Sequence, residues 1–291
     1  MSTKYKWIIS GSLLAVVIIV LALLPGKAQT PIPAAVAYSG NYVALGDSVA
    51  AGVGLANDSD PSACDRTNSS YPFLVAKSYN FKLFNLACSG ASANVGILSS
   101  QTVNKLGLQP QLDKLFSLPH PKLITLNVGA NDVHWNQIIT QCYLGDCNQD
   151  VTEQTFQADL VSLASNLNII YGKIAEHYGS APPALVVTGY YQALPVTSSD
   201  CLDVKNLRSP QLMWLRSLGE RLNSTLKESV TGYQFAAFIP VDFTGHELCT
   251  AQPWVQGLTD RYPYHPSAEG QQVISRAISG TVATLHDKVK Q

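Results

Sequence analysis

The sequence predicts an α/β fold in which parallel strands are covered by helices on both faces. Two observations predict it. Short apolar, strand-like runs alternate with longer helical patterns, as expected of β-α units that feed one parallel sheet. The runs are also apolar nearly throughout, rather than at every second residue, which suits strands buried on both sides. The strands expected are Tyr42 to Gly46, Phe81 to Ala87, Leu123 to Val128, Ala184 to Thr188 and Phe235 to Val241. Phe156, Leu160, Leu163, Leu167, Ile170 and Ile174 recur at helical spacing and mark one face of a long amphipathic helix. Ser209-Pro210 reads as a cap followed by proline at the first helical position, opening a helix through Leu226. A last helix is expected from about Ser267 to Lys288. No internal repeat interrupts the pattern, so residues 41–291 read as one domain around one core.

The amino end is a separate matter. Lys4 and Lys6 precede an apolar run from Trp7 to Leu24, which Pro25-Gly26 ends. The run is long for a signal-peptide core and minimal for a membrane span. Small-x-small sites at Gly26–Ala28 and Ala35–Ala37 suit cleavage. Residues 1–28 are therefore expected to be either a cleaved signal peptide or an uncleaved anchor spanning residues 7–24. Residues 29–40, with Pro31, Pro33 and small neighbours, read as a linker. Both alternatives place the body outside the cytoplasmic membrane, because the lysines favour the inner face. The cysteines agree: Cys64, Cys88, Cys142, Cys147, Cys201 and Cys249 form an even set, and an exported chain would pair them as three disulfides. Their spacing alone does not choose the pairing, and it is too loose for a zinc site. The formal net charge is −1, and no cluster of Lys and Arg offers phosphate contacts, so a nucleic-acid partner is not expected. Neither is a metal or other cofactor, and the chain reads as a monomer.

Four short segments carry the chemistry. Ser48 in YVALGDSVAAG follows the first strand, Gly90 in NLACSGASA the second and Asn131 in NVGANDV the third, while His265 in PYHPSAEG lies beyond the fifth. Ligands gather at the carboxyl ends of parallel strands, so all four residues can converge on one edge. They supply a nucleophile, a base and donors for an oxyanion, the roles that acyl transfer by a serine needs. Singly, each has a plainer reading: a helix cap for Ser48, a turn glycine for Gly90, an Asx-turn for Asn131 and a surface histidine for His265. The weight lies in four blocks in one order. In that order they resemble the SGNH, or GDSL-type, hydrolase superfamily, over roughly Tyr42 to the C-terminus. The resemblance implies a three-layer αβα sandwich with a five-stranded parallel sheet, flavodoxin-like. It also implies Ser48 as nucleophile, His265 as base, and an oxyanion hole built from the Ser48 N–H, the Gly90 N–H and the Asn131 amide. No GxSxG elbow surrounds Ser48, which argues against an ordinary α/β-hydrolase.

Two details depart from the family's commonest pattern. Val49 stands where GDSL has leucine. The acid position of the usual DxxH holds Tyr262, with Asp260 five residues before the histidine. Some family members with similar cysteines orient the histidine by a backbone carbonyl three residues before it, so the resemblance implies a Ser48–His265 dyad oriented by the Tyr262 carbonyl, with Asp260 as the alternative. Cys64-Asp65-Arg66, Ser70-Tyr71-Pro72 and LACSG around Cys88 resemble the actinobacterial secreted esterase and lipase branch. Its sequential pairing implies Cys64–Cys88, Cys142–Cys147 and Cys201–Cys249 here. The expected function is an extracytoplasmic serine esterase or lipase acting on small-molecule or lipid carboxylic esters. The alternatives are an acyltransferase or carbohydrate deacetylase with the same residues, or a binding module that kept only the fold. Trp135, Tyr143, Leu144 and Trp254, on long segments at the same edge, are candidates for an acyl pocket or sugar platform, or for cover over loop cores.

Overall fold

The apolar runs form one all-parallel sheet. A computed structural model describes residues 39–55 and 63–289, with side chains to residue 282. The leader, and all but the last two residues of the linker, lie outside that range. Along the chain come β1 (Gly40–Gly46), α1 (Ser48–Ala51), α2 (Tyr71–Tyr79), β2 (Phe81–Asn85), β3 (Gln101–Val103), β4 (Leu106–Leu108), α3 (Gln111–Phe116), β5 (Pro121–Asn127), α4 (Trp135–Tyr143), α5 (Gln149–Tyr178), β6 (Ala184–Thr188), α6 (Ser209–Ser229), β7 (Ala236–Ile239) and α7 (Ala268–Val289). Among the described residues, no helix is long and apolar enough to cross a membrane.

The strand order is β2-β1-β5-β6-β7. The three inner strands are almost wholly buried, which accounts for their unbroken apolar character. The outer strands β2 and β7 are half-exposed. Helices α2 and α7 pack together on one face, and α5 and α6 on the other. Helix α5 buries all six residues of the expected face, with Tyr171 added. After β1 the chain moves outward to β2, then crosses back to β5. The topological switch point therefore lies between β1 and β5, where open α/β sheets bind ligands.

Two local readings are corrected. The cap of α6 is Arg208, not Ser209; Ser209 and Pro210 are its first helical residues. The Gln211 side chain accepts from the Arg208 N–H at 2.9 Å, and the Ser209 hydroxyl is turned away to accept from the Ser198 N–H at 3.1 Å. The β3–β4 hairpin was not foreseen. Its turn residues, Asn104 and Lys105, both have positive φ, 48° and 68°, as a tight two-residue hairpin turn requires. Three-residue strands joined by Asn-Lys carry no alternation long enough to read.

Three disulfides, Cys64–Cys88, Cys142–Cys147 and Cys201–Cys249, close loops around the sheet. The pairing is the sequential one that the resemblance implies. The Cys201–Cys249 bond ties the segment after β6 to the segment after β7 across 48 residues. A cross-link of that span stabilises by about 2–4 kcal/mol, largely through the unfolded chain.

At the switch point Gly46 leaves no room for a side chain. Gly46 has φ +147°, and a Cβ there would lie 2.5 Å from the Asn127 carbonyl oxygen. The Gln111 side chain brackets this residue, accepting from the Gly46 N–H at 2.8 Å and donating to the Gly46 carbonyl at 2.9 Å. Gly172, exposed on α5, has nothing within 4 Å of a built Cβ. Gly46→Ala should therefore cost at least about 2 kcal/mol in urea unfolding, from backbone strain and overpacking. Gly172→Ala should be neutral or stabilise by about 0.4–1 kcal/mol.

Candidate active site

The loop after β1 turns directly into α1. Asp47 caps that helix, its Oδ1 accepting from the Val49 N–H at 2.9 Å, and Ser48 is the first helical residue. From the far end of the sequence, His265 brings its Nε2 to 2.8 Å from Ser48 Oγ. The ring's other nitrogen faces two backbone carbonyls, Pro263 O at 3.0 Å and Tyr262 O at 3.3 Å. A carbonyl can only accept, so the proton resides on Nδ1 and Nε2 is the acceptor. That is the tautomer able to take the Ser48 proton. Burial holds the His265 pKa below its usual value of 6.5, with the two carbonyls pulling the other way. The ring is thus neutral near pH 7.

The nearer acceptor, Pro263, was not named from the sequence. Asp260, the alternative orienter, is committed elsewhere: its Oδ2 accepts from the Gly257 N–H at 2.7 Å. Among the described residues, no carboxylate hydrogen-bonds the His265 ring.

The loop holding His265 is pinned on several sides. The Gln256 N–H donates to the His265 carbonyl, and the Tyr264 N–H to the Gln256 carbonyl, both at 2.8 Å. The Gln256 side chain donates to the carbonyls of Val53 and Pro266, 3.0 Å each. The Tyr191 hydroxyl, from the β6 loop, donates to the Tyr264 carbonyl at 2.7 Å.

Asn131 follows β5. Its Nδ2 donates to the Ala91 carbonyl at 2.8 Å, and one further amide hydrogen remains for a ligand. The next residue, Asp132, accepts from the Ala93 N–H at 3.0 Å through both oxygens. Its burial raises its pKa to about 6. Together the two residues tie the β5 loop to the β2 loop that carries Gly90. Gly90 sits in an exposed turn with φ +78°. Neither its N–H nor that of Ser48 hydrogen-bonds another described residue.

One pocket gathers Ser48, Asn131 and His265, walled by Trp135, Tyr190, Tyr191 and Leu222. Gly90 shares the edge but does not line the pocket. A second, open groove begins on the far side of His265 and runs past Tyr143, Leu144, Leu258 and Arg261. Trp254 lines neither: it stacks on His246 with 3.5 Å between ring centres and meets Phe243 edge-on, covering a loop core.

Residues 44–273 match the GDSL-like Lipase/Acylhydrolase family. The chain belongs to that family. It is 29% identical to Lipase 1 of Streptomyces coelicolor over 278 residues, 90% of this chain and 93% of the other. Its fold superposes on an extracellular lipase from Streptomyces rimosus with TM-score 0.67 and 28% identity, covering 82% of this chain and all of the other (100%). A phospholipase A1 from Streptomyces albidoflavus gives TM-score 0.67 and 26% identity, with 84% and 99% covered. The chain is an ester-hydrolysing enzyme of the GDSL lipase family.

In this GDSL enzyme a buried acid beneath the serine was missed from the sequence. Asp47 is 1% exposed. Its Oδ2 accepts from the Tyr190 hydroxyl at 2.5 Å, and the same phenol oxygen accepts from the Ala130 N–H at 3.1 Å. Burial raises the Asp47 pKa to about 7, against the pull of Tyr190 and the Val49 N–H. The available signal was the acid of GDS itself, but its partner comes from another strand's loop.

With the folded pKa raised, the unfolded chain gives up this proton first as pH rises. Asp47 therefore contributes stability that is full below about pH 4, is lost progressively towards pH 7, and is constant above. Asp47→Asn keeps the shape and removes the titration. Denaturation curves between those limits should show a shallower fall with rising pH in Asp47→Asn than in the parent, and equal slopes would rule the assignment out.

Proposed function

We propose that the chain is a serine esterase or lipase that works outside the cytoplasmic membrane through an acyl-enzyme on Ser48. The observation that carries this is the relay from Ser48 Oγ to His265 Nε2, backed by carbonyls at Nδ1 and opening on an apolar pocket. Ser48 Oγ attacks the ester carbonyl carbon as its proton passes to Nε2. The oxyanion is met by the Ser48 N–H, the Asn131 side-chain amide and the Gly90 N–H. When the carbon–oxygen bond breaks, His265 returns the proton to the departing alcohol. A water molecule then repeats the sequence and releases the acid. Removing one oxyanion donor from such a site costs about 100- to 1000-fold in turnover.

The three disulfides support export, since such bonds persist in oxidising compartments, and the apolar leader pattern agrees. The apolar pocket walls favour acyl chains as ligands. We read the enzyme as a monomer, released or held at the outer membrane face according to whether the leader is cleaved.

An organophosphonate should label Ser48, with the adduct mapped by mass spectrometry; labelling elsewhere, or full activity in Ser48→Ala, would exclude the mechanism. His265→Ala should lose at least about a thousandfold in kcat. Tyr262→Phe, which preserves the carbonyl, should keep most activity, and Asp260→Asn should lose less than about tenfold. A loss of about 10⁴-fold in folded Asp260→Asn would assign the orienter to a carboxylate.

The base must be neutral to act. Because burial lowers the His265 pKa, kcat/KM should fall on the acid side with a midpoint below pH 6.5. A decline centred above pH 6.5 would contradict this.

A further inference from the structure

His265 is shared by the two openings of the site, and they differ in kind. The inner pocket holds Ser48 and Asn131 and is walled by rings. The outer groove meets the reacting centre only through His265 and its neighbours, and mixes apolar side chains with Gln137, Gln141 and Arg261. The general acid must reach the leaving oxygen, so the departing alcohol lies on the His265 side. The acyl chain is left with the inner pocket.

Gly219 lines that pocket. It sits in the middle of α6, where glycine costs about 1 kcal/mol relative to alanine. A built Cβ there would meet Trp135 and Gln192, each at 3.6 Å. Trp135, at the start of α4, lines the same pocket, and the Gln192 amide behind it donates to the Arg216 carbonyl at 3.1 Å. A methyl group fits between them without movement. A longer side chain would add its bulk beside Trp135, at the wall that Gly219 and Trp135 give the pocket. We infer that the inner pocket takes the fatty acyl chain, the outer groove takes the alcohol, and the bare backbone at Gly219 sets the acyl length accepted. This rests on the serine-hydrolase reading above.

The test uses the parent enzyme, Gly219→Ala, Gly219→Leu and Gly219→Met. All three residues are better helix formers than glycine, and Met offers a flexible alternative should Leu misfold. The readout is the ratio of kcat/KM for p-nitrophenyl decanoate to that for p-nitrophenyl acetate. Leu and Met should lower this ratio at least about tenfold, the scale set by one or two misfitting methylenes, and Ala should move it less than about threefold. A ratio within about twofold of the parent in both Leu and Met variants overturns the assignment, as does an equal fall for both esters. Calorimetric binding of free decanoate needs no turnover and separates the two readings. Decanoate binding lost in Gly219→Leu, with no ester hydrolysed by the parent, sinks the hydrolase reading and keeps the pocket. An unchanged ratio in an active variant sinks the pocket assignment and keeps the hydrolase.

Discussion

One hydrogen bond joins the end of the first strand to a loop 217 residues later: Ser48 Oγ to His265 Nε2, 2.8 Å. The proposed acyl transfer tolerates little error in that distance, and a displacement of about 1 Å can cost on the order of 100-fold. Ser48 is easy to hold, because it begins a helix capped by its own neighbour. His265 is not, because it sits on a long irregular segment. Much of the structure at this edge answers that difficulty. Gln256 grips the histidine segment by its backbone and then reaches with its side chain to the Val53 carbonyl beside the Ser48 helix. Tyr191 holds the preceding residue, and the Cys201–Cys249 bond anchors the segment's start.

Using backbone carbonyls to orient the imidazole has an electrostatic consequence. Carbonyls fix the tautomer as a carboxylate would, but they place no full negative charge beside the ring. Burial is then the larger influence, and the ring is held below its ordinary pKa. This favours a neutral ring at rest, and in the proposed mechanism it would leave the transient imidazolium to be stabilised by dipoles alone.

The buried polar groups under the site form a second layer. Buried polar groups need partners, and here the partners are drawn from different strands. Asn127 donates to the Thr188 hydroxyl at 2.7 Å, Gln111 brackets Gly46, and Asn223 on α6 clamps the Tyr190 backbone from both sides, at 2.8 and 2.7 Å. Tyr190 is thereby fixed over Asp47, the acid that adjoins Ser48. The strand ends are held by directional bonds, where packing alone would let them slide.

The sequence by itself determined the parts that follow from local pattern. Strand cores such as Ala184–Thr188 and the buried face of α5 were legible because burial on two faces, or on one stripe, imposes a period that a single segment displays. Ser48, Asn131 and His265 were legible as a set because each lies in a short block with its own turn chemistry. Only the tertiary structure decided the rest. It added the Pro263 carbonyl to that of Tyr262 and removed Asp260, because acceptor geometry depends on how the loop folds. It gave the Ser209 hydroxyl to Ser198 and the cap to Arg208, because two segments compete for one acceptor. It paired Asp47 with Tyr190 across 143 residues, and separated Trp135 in the pocket from Trp254 in a loop core. Such contacts join segments far apart in the chain, and no local period or spacing encodes them.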